Sequence, residues 1–239
     1  SIENFKEKIV VAQSGYPKLD APYKLYANSN PQGIIVYAPT PNDLTGNKQS
    51  EAWQKAITIN DYGVDVMQAL LSGFPDMTVV FKPYKRELPD LVQKIDIACK
   101  EQPNYRMDTS GSAYWDLYSK TNILVSDFSS TAYTFATGLQ RPVAFFSPNE
   151  DELPSEIING SYCQHRKTIG SVSKNCEELI SDIKFLLSDY DHRCSIIEQF
   201  VVENFFTPGE ASRAGAECIN NLAKNVLPIA ETDFTVWQV

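Results

Sequence analysis

Histidine is nearly missing from this sequence: His165 and His192 are the only two among 239 residues. The five cysteines, Cys99, Cys163, Cys176, Cys194 and Cys218, contain no CxxC pair and are odd in number. A structural zinc site needs closely spaced Cys and His ligands, and a disulfide framework needs a paired set, so both are argued against. Scattered thiols suit a reducing cytoplasm. Long hydrophobic runs are missing as well. The longest, such as Ile34–Ala38 and Val143–Phe146, have strand length, far short of the roughly 20 apolar residues that span a bilayer. No basic segment followed by an apolar one opens the chain at Ser1, so no signal peptide is read and the start is taken as that of an excised or processed chain. Basic residues are in deficit: 21 Lys and Arg stand against 30 Asp and Glu, for a net charge of −9. That argues against a nucleic-acid partner, which needs a basic face, and describes a solvated acidic surface with room for a local basic cleft.

What is present is a core. Hydrophobic residues make up 43% of the chain, enough for one domain over residues 1–239, with about 1–30 as a lead-in and 228–239 as a tail. Unbroken apolar segments predict strands near 34–38, 77–82, 122–126 and 142–146, with a short one at Tyr105–Asp108. Between them, apolar periodicity predicts helices over Asp61–Leu71, Leu91–Cys99, Ala113–Tyr118 and Thr131–Gly138, then Cys176–Leu187, Asp191–Phe205 and Glu210–Leu227. Strand–helix alternation with strands that are apolar throughout predicts an α/β fold, a Rossmann-like parallel sheet with helices on both faces. The polar stretch Pro148–Thr168 reads as a long loop.

The segment Ser126-Asp127-Phe128-Ser129-Ser130-Thr131-Ala132 follows a predicted strand and opens a predicted helix. In an open α/β sheet that junction lies at the carboxyl edge, where unpaired N–H groups and the positive helix end attract an anion. Plain helix capping by Ser and Asp fits the same residues. Lys82 ends a strand at that edge, as either a diphosphate partner or a solvated strand end. Thr40 is a ligand candidate that also opens an ordinary turn, Thr40-Pro-Asn-Asp43. Gly209 to Ser212 can face a nucleotide or merely restart a helix after Pro208. The cluster Tyr114, Trp115, Leu117 and Tyr118 reads as core packing, and both histidines read as surface residues.

Several segments share a pattern in a fixed order. Ile123-Leu-Val-Ser-Asp-Phe-Ser-Ser-Thr-Ala-Tyr-Thr-Phe-Ala136 followed by Arg141-Pro-Val-Ala-Phe-Phe146 resembles the glycerophosphotransferases of teichoic acid and capsule synthesis, whose strand ends in S/T-D-x-S-S before a helix and an R-P strand. Gly15-Tyr-Pro-Lys-Leu-Asp20 resembles the family's G-x-P-R-x-D, Tyr37-Ala-Pro-Thr40 its A-P-T, Phe81-Lys-Pro83 its F-K-P-H-P, and Gly209-Glu-Ala-Ser-Arg213 its D-G-x-x-S-x-R. The departures are Lys18 for Arg, Tyr84 for His, Pro208 for Asp, and a missing spacer between Ser212 and Arg213. The family's W-H-G-T segment, which belongs to its amino-terminal, acceptor-side domain, is not found upstream of Gly15.

The resemblance implies the C-terminal half of a GT-B fold, binding CDP-glycerol or a similar nucleotide-activated donor. Thr40, Lys82, Asp127, Ser129, Ser130, Thr131, Gly209 and Ser212 are its implied donor-site residues. It further implies a missing N-terminal domain that supplies the catalytic base, a lipid-linked or polysaccharide acceptor, and a cytoplasmic location with the full-length protein at the inner membrane face. No metal or other cofactor is expected, since a helix dipole and Lys82 can supply the positive charge and the sequence contains no compact carboxylate cluster. A fragment of this kind is expected to be inactive alone. The tail residues Phe234, Val236, Trp237 and Val239 are expected to pack on either this domain or the missing one. Two other readings stay open: another GT-B glycosyltransferase or UDP-sugar epimerase-like enzyme, which reuse the same phosphate junction, and a non-catalytic nucleotide-binding or assembly module.

Overall fold

Strands that are apolar on both sides need cover on both sides, and the fold supplies it. The computed structural model describes residues 13–26, 29–42, 51–85, 87–111 and 114–224. Within them, β1 (Ile34–Tyr37), β2 (Thr78–Phe81), β3 (Tyr105–Met107), β4 (Thr121–Ser126), β5 (Val143–Phe146) and β6 (Gly170–Ser173) form one sheet in the order β3-β2-β1-β4-β5-β6. Every neighbouring pair is parallel, with Tyr37 beside Phe81 on one side and Val125 on the other. The helices are α1 (Asp20–Tyr26), α2 (Glu51–Ala56), α3 (Ile59–Gly73), α4 (Pro89–Cys99), α5 (Trp115–Tyr118), α6 (Ser130–Leu139), α7 (Ser155–Ile158), α8 (Ser161–Gln164), α9 (Arg166–Ile169), α10 (Cys176–Ser188), α11 (Tyr190–Asn204) and α12 (Ala211–Ala223). The tail residues named above, Ala113, and the last residues of the expected 210–227 helix lie outside the described residues.

Alternate strand residues build two cores. Ile35, Tyr37, Val79, Phe81, Ile123 and Val125 pack under α3, α4 and α10 through Val66, Leu70, Leu91, Ile95, Leu179 and Ile183. Val36, Val80, Leu124, Val143 and Phe145 pack on the opposite face against Tyr118, Phe135, Ile197 and Phe200. This is the Rossmann-like α/β fold.

The stretch 148–168 is not the long loop that its polarity suggests. It folds as a 3₁₀ turn at Glu150–Glu152 followed by α7, α8 and α9. The organising residue is Arg166, which is 1% exposed, pairs with Glu150, and lies over the rings of Phe128 at 4.9 Å and Phe145 at 5.7 Å. Leu153 and Cys163 join Phe128 in a small core of their own. A few apolar anchors and one buried cation therefore hold a segment whose average composition is that of a loop.

β6 escaped the hydrophobic pattern because it is Gly-Ser-Val-Ser. Its glycine is required by proximity: a Cβ on Gly170 would sit 1.7 Å from the Val143 carbonyl oxygen. Gly170→Ala is therefore expected to unseat β6, costing about 3 kcal/mol, the upper end for overpacking because the obstacle is backbone. Urea unfolding of the variant checks this.

Arg141, of the Arg-Pro pair, is 4% exposed and has no described carboxylate partner. Its Nη1 donates to the carbonyls of Tyr118, Ser119 and Thr121, and its Nη2 to Ser29. The planar fork thus gathers the end of α5, the start of β4 and the approach to β1 at the entry to β5.

Candidate functional site

Connections leave β1 and β4 toward opposite sides of the sheet, which makes the crevice between their carboxyl ends the switch point of the topology. A cleft of about 520 Å³ lies there, within the roughly 300–1,000 Å³ usual for small-ligand sites. Three loops form it: Ala38–Pro41 after β1, Lys82–Lys85 after β2, and Phe128–Thr131 after β4. Gly111, Tyr114 and Tyr118 close a further wall. Thr40, Lys82, Ser129, Ser130 and Thr131, distant in sequence, all line this one cleft.

The wall after β4 is a helix start. Ser129 is the N-cap of α6, with extended backbone (φ −75°, ψ 131°), and its Oγ accepts the Thr131 N–H at 3.2 Å. The first-turn amides of a helix have no intrahelical acceptor, so an anion placed here meets N–H groups, two serine hydroxyls and the positive end of the helix. Capping and anion binding, left open by the sequence, are compatible: the cap satisfies one amide and leaves the hydroxyl-lined end facing the cleft.

Asp127 sits beneath that wall. It is fully buried and absent from the cleft lining. Its Oδ1 accepts the Thr40 N–H at 2.7 Å and the Thr40 hydroxyl at 2.6 Å, and its Oδ2 accepts the Thr58 N–H and hydroxyl, each at 3.0 Å. Burial pushes the carboxyl above its ordinary value, more than these four bonds hold it down. The residue clasps the loop after β1 and the start of α3 to the turn that opens α6.

Lys82 is already paired. Its Nζ lies 2.6 Å from Asp108 and donates to the Gly111 carbonyl at 3.3 Å. Burial pushes the Asp108 carboxyl up, but hydrogen bonds from Lys82 and Ser110 outweigh it and hold the group below 3.8. A carboxyl with a depressed folded pKa stabilises fully above its unfolded value, and that contribution is lost as pH falls through the folded one. Lowering pH from about 6 to about 3 should thus cost wild type more urea resistance than Asp108→Asn. Equal losses would remove Asp108 from the acid response.

A family model for CDP-glycerol:poly(glycerophosphate) glycerophosphotransferase matches residues 4–214. The chain belongs to this family. No curated protein sequence matches significantly. Among solved structures, a variant of the wall teichoic acid polymerase TagF aligns at 19% identity with TM-score 0.60, covering 90% of this chain and 52% of that one. The same variant soaked with CDPG aligns at 19% identity and TM-score 0.58, covering 91% and 53%. The S. aureus MnaA–UDP structure aligns at 14% identity and TM-score 0.54, covering 96% and 57%. These likenesses show the fold, and the chain spans about half the length of the structures it matches.

Two family segments from opposite ends of the chain meet. Asp20 accepts the N–H groups of Ala211 at 2.9 Å and Ser212 at 2.7 Å, capping α12. A Cβ on Gly15 would lie 2.2 Å from the Phe206 carbonyl oxygen, and one on Gly209 would lie 3.1 Å from the Tyr23 ring. The glycines and aspartate of these segments therefore have a packing role. Neither Gly209 nor Ser212 lines the cleft.

Tyr84, at the family's histidine position, is exposed on the cleft rim. The His165 ring packs tilted against Phe200 with centroids 5.1 Å apart, His192 contacts Asp189 at 3.1 Å, and neither reaches the cleft. Tyr118 is buried against Phe135 as a core residue, and together with its neighbour Tyr114 it also contributes to the cleft wall. Lys85 lines it too, a residue the sequence did not single out; its position one residue past Tyr84 was the available signal. Among the described residues no helix is long and apolar enough to cross a membrane, and no cluster of His, Cys, Asp or Glu is arranged to hold a metal ion.

Proposed function

We propose that this chain is the donor-binding half of a CDP-glycerol glycerophosphotransferase-like enzyme, and that its cleft holds the diphosphate of CDP-glycerol or a similar nucleotide-activated unit. One observation carries the reading: in a member of this family, the loops after β1, β2 and β4 converge on a single cleft that ends at the α6 N-terminus. In this reading Ser129, Ser130 and Thr131 present hydroxyl and amide donors to the phosphates. As the glycerol phosphate departs, charge grows on the leaving nucleotide phosphate, and these fixed donors stabilise it without reorganising. Thr40 and Asp127 serve by holding the opposite wall in place. Gly209 and Ser212 belong to the site only through the α12 cap at Asp20.

The acceptor, a lipid-linked or polysaccharide hydroxyl, and the base that deprotonates it fall to the other half of the enzyme. Orienting two reactants supplies roughly 7–11 kcal/mol of barrier lowering, so the chain alone is expected to bind donor and release no measurable CMP from CDP-glycerol and a glycerol-phosphate primer. Turnover matching the full-length parent would show that the half-enzyme reading is wrong.

The likeness to the MnaA–UDP structure favours a second reading, a site for uridine nucleotides. Calorimetric titration of the chain with CDP-glycerol, UDP and a UDP-sugar separates the two. Tighter binding of CDP-glycerol is expected; binding of the uridine ligands alone would transfer the chain to the second reading.

A further inference from the structure

We propose that Lys85, rather than Lys82, is the cation that meets the donor's diphosphate, and that Lys82 is a positioning residue whose charge is spent on Asp108. The proposal rests on reading the cleft as a diphosphate site. Among the described residues the cleft is lined by two cations, Lys82 and Lys85. Lys82 is 7% exposed, and its Nζ is engaged by the Asp108 carboxylate at 2.6 Å and the Gly111 carbonyl at 3.3 Å. Asp108 is itself held by the Ser110 amide at 3.1 Å and hydroxyl at 2.9 Å. Moving Lys82 onto a phosphate would therefore strand a partly buried carboxylate, and a stranded buried charge is strongly destabilising. The pair is a tie between the end of β2 and the segment from Asp108 to Gly111.

Lys85 is different in each respect. It is exposed, it has no ion pair with a described residue, and it lines both the main cleft and a neighbouring cleft of about 450 Å³ that shares Tyr84 with it. A Cβ on Gly111 would lie 4.0 Å from Lys85 Cδ, so the lysine stem runs along the wall that Lys82 and Asp108 fix. With Lys82 and Asp108 cancelling, the net positive side-chain charge of the described lining is that of Lys85 alone. A diphosphate carries more charge than one helix end, equivalent to about half an elementary charge, can balance. A flexible lysine on the cleft rim supplies the remainder, and its point charge follows the phosphates through the reaction without a fixed fork geometry. The family's F-K-P-H-P places proline where Lys85 stands, so this cation accompanies the exchange of histidine for Tyr84.

The experiment titrates the full 239-residue chain and its Lys85→Gln, Lys85→Arg and Lys82→Met variants with pyrophosphate, CDP-glycerol and cytidine, with a melting curve for each. Lys85→Gln should weaken pyrophosphate and CDP-glycerol by about tenfold or more, leave cytidine binding and melting unchanged, and be rescued by Lys85→Arg. Lys82→Met should lower the melting temperature and weaken cytidine and CDP-glycerol together. Unchanged pyrophosphate affinity in Lys85→Gln, or a loss in Lys82→Met confined to the phosphate ligands, would overturn the assignment while leaving the donor reading intact. Lys85-dependent pyrophosphate binding without CDP-glycerol binding would keep the assignment and sink the donor reading. Binding of neither ligand by the wild-type chain would overturn both.

Discussion

A chain carrying Ser129→Leu and Ser130→Leu together should lose its nucleotide affinity by about 3–6 kcal/mol, since each hydrogen bond to a charged phosphate contributes roughly 1.5–3. The two serines stand at the first turn of α6, on the wall of the cleft where the helix end is exposed. Leucine at either position removes a donor and places methyl groups where a phosphate oxygen would approach. Ser129 also caps the helix through the Thr131 amide, and a lost cap costs about 1 kcal/mol of stability. Calorimetric titration should therefore be paired with a melting curve, because the affinity loss must greatly exceed what the small stability loss explains. Unchanged affinity in a folded double variant would move the phosphate site elsewhere.

The second large effect is on the fold. Asp127→Ala should destabilise the chain by about 2–6 kcal/mol, because two backbone amides, those of Thr40 and Thr58, lose a buried acceptor at roughly 1–3 kcal/mol each. That is a large part of the 5–15 kcal/mol typical of a whole domain. Asp127→Asn keeps the shape and one carbonyl oxygen but turns an N–H₂ toward one of the two amides, so its loss should fall between wild type and alanine. Urea midpoints order the three. A neutral alanine variant would mean that the clasp is dispensable and that the loop after β1 is held by other contacts.

The sheet was legible where physics leaves little choice. Val36, Val80, Leu124 and Phe145 are apolar, as are their neighbours on the other face, and only a doubly covered parallel sheet buries both sets. Four strands accordingly stand within a residue of their expected ends. What stayed hidden depends on pairings between distant residues. The helical turns of 150–169 hinge on Arg166 finding Glu150 and two phenyl rings. β6 is defined by its fit against Val143 rather than by its own Gly-Ser-Val-Ser. At the candidate site, position after a strand was enough to gather Thr40, Lys82 and Ser129–Thr131 in one cleft. It could not show that Asp127 points down into the core or that Lys82 is already occupied, because their partners, Thr58 and Asp108, lie 69 and 26 positions away.

The clasp at Asp127 also sets a clock. Thr40 precedes its partner by 87 positions, and a ribosome adds about 5–20 residues per second, so the loop after β1 waits roughly 4–17 s for the carboxylate that fixes it. The residues of β1, β2 and β3 are all synthesised before those of β4, the strand that joins their half of the sheet to the other. The cleft is therefore a late product of synthesis: its walls after β1 and β2 are made first, and it cannot be enclosed before Thr131, the last residue of its lining, has been added.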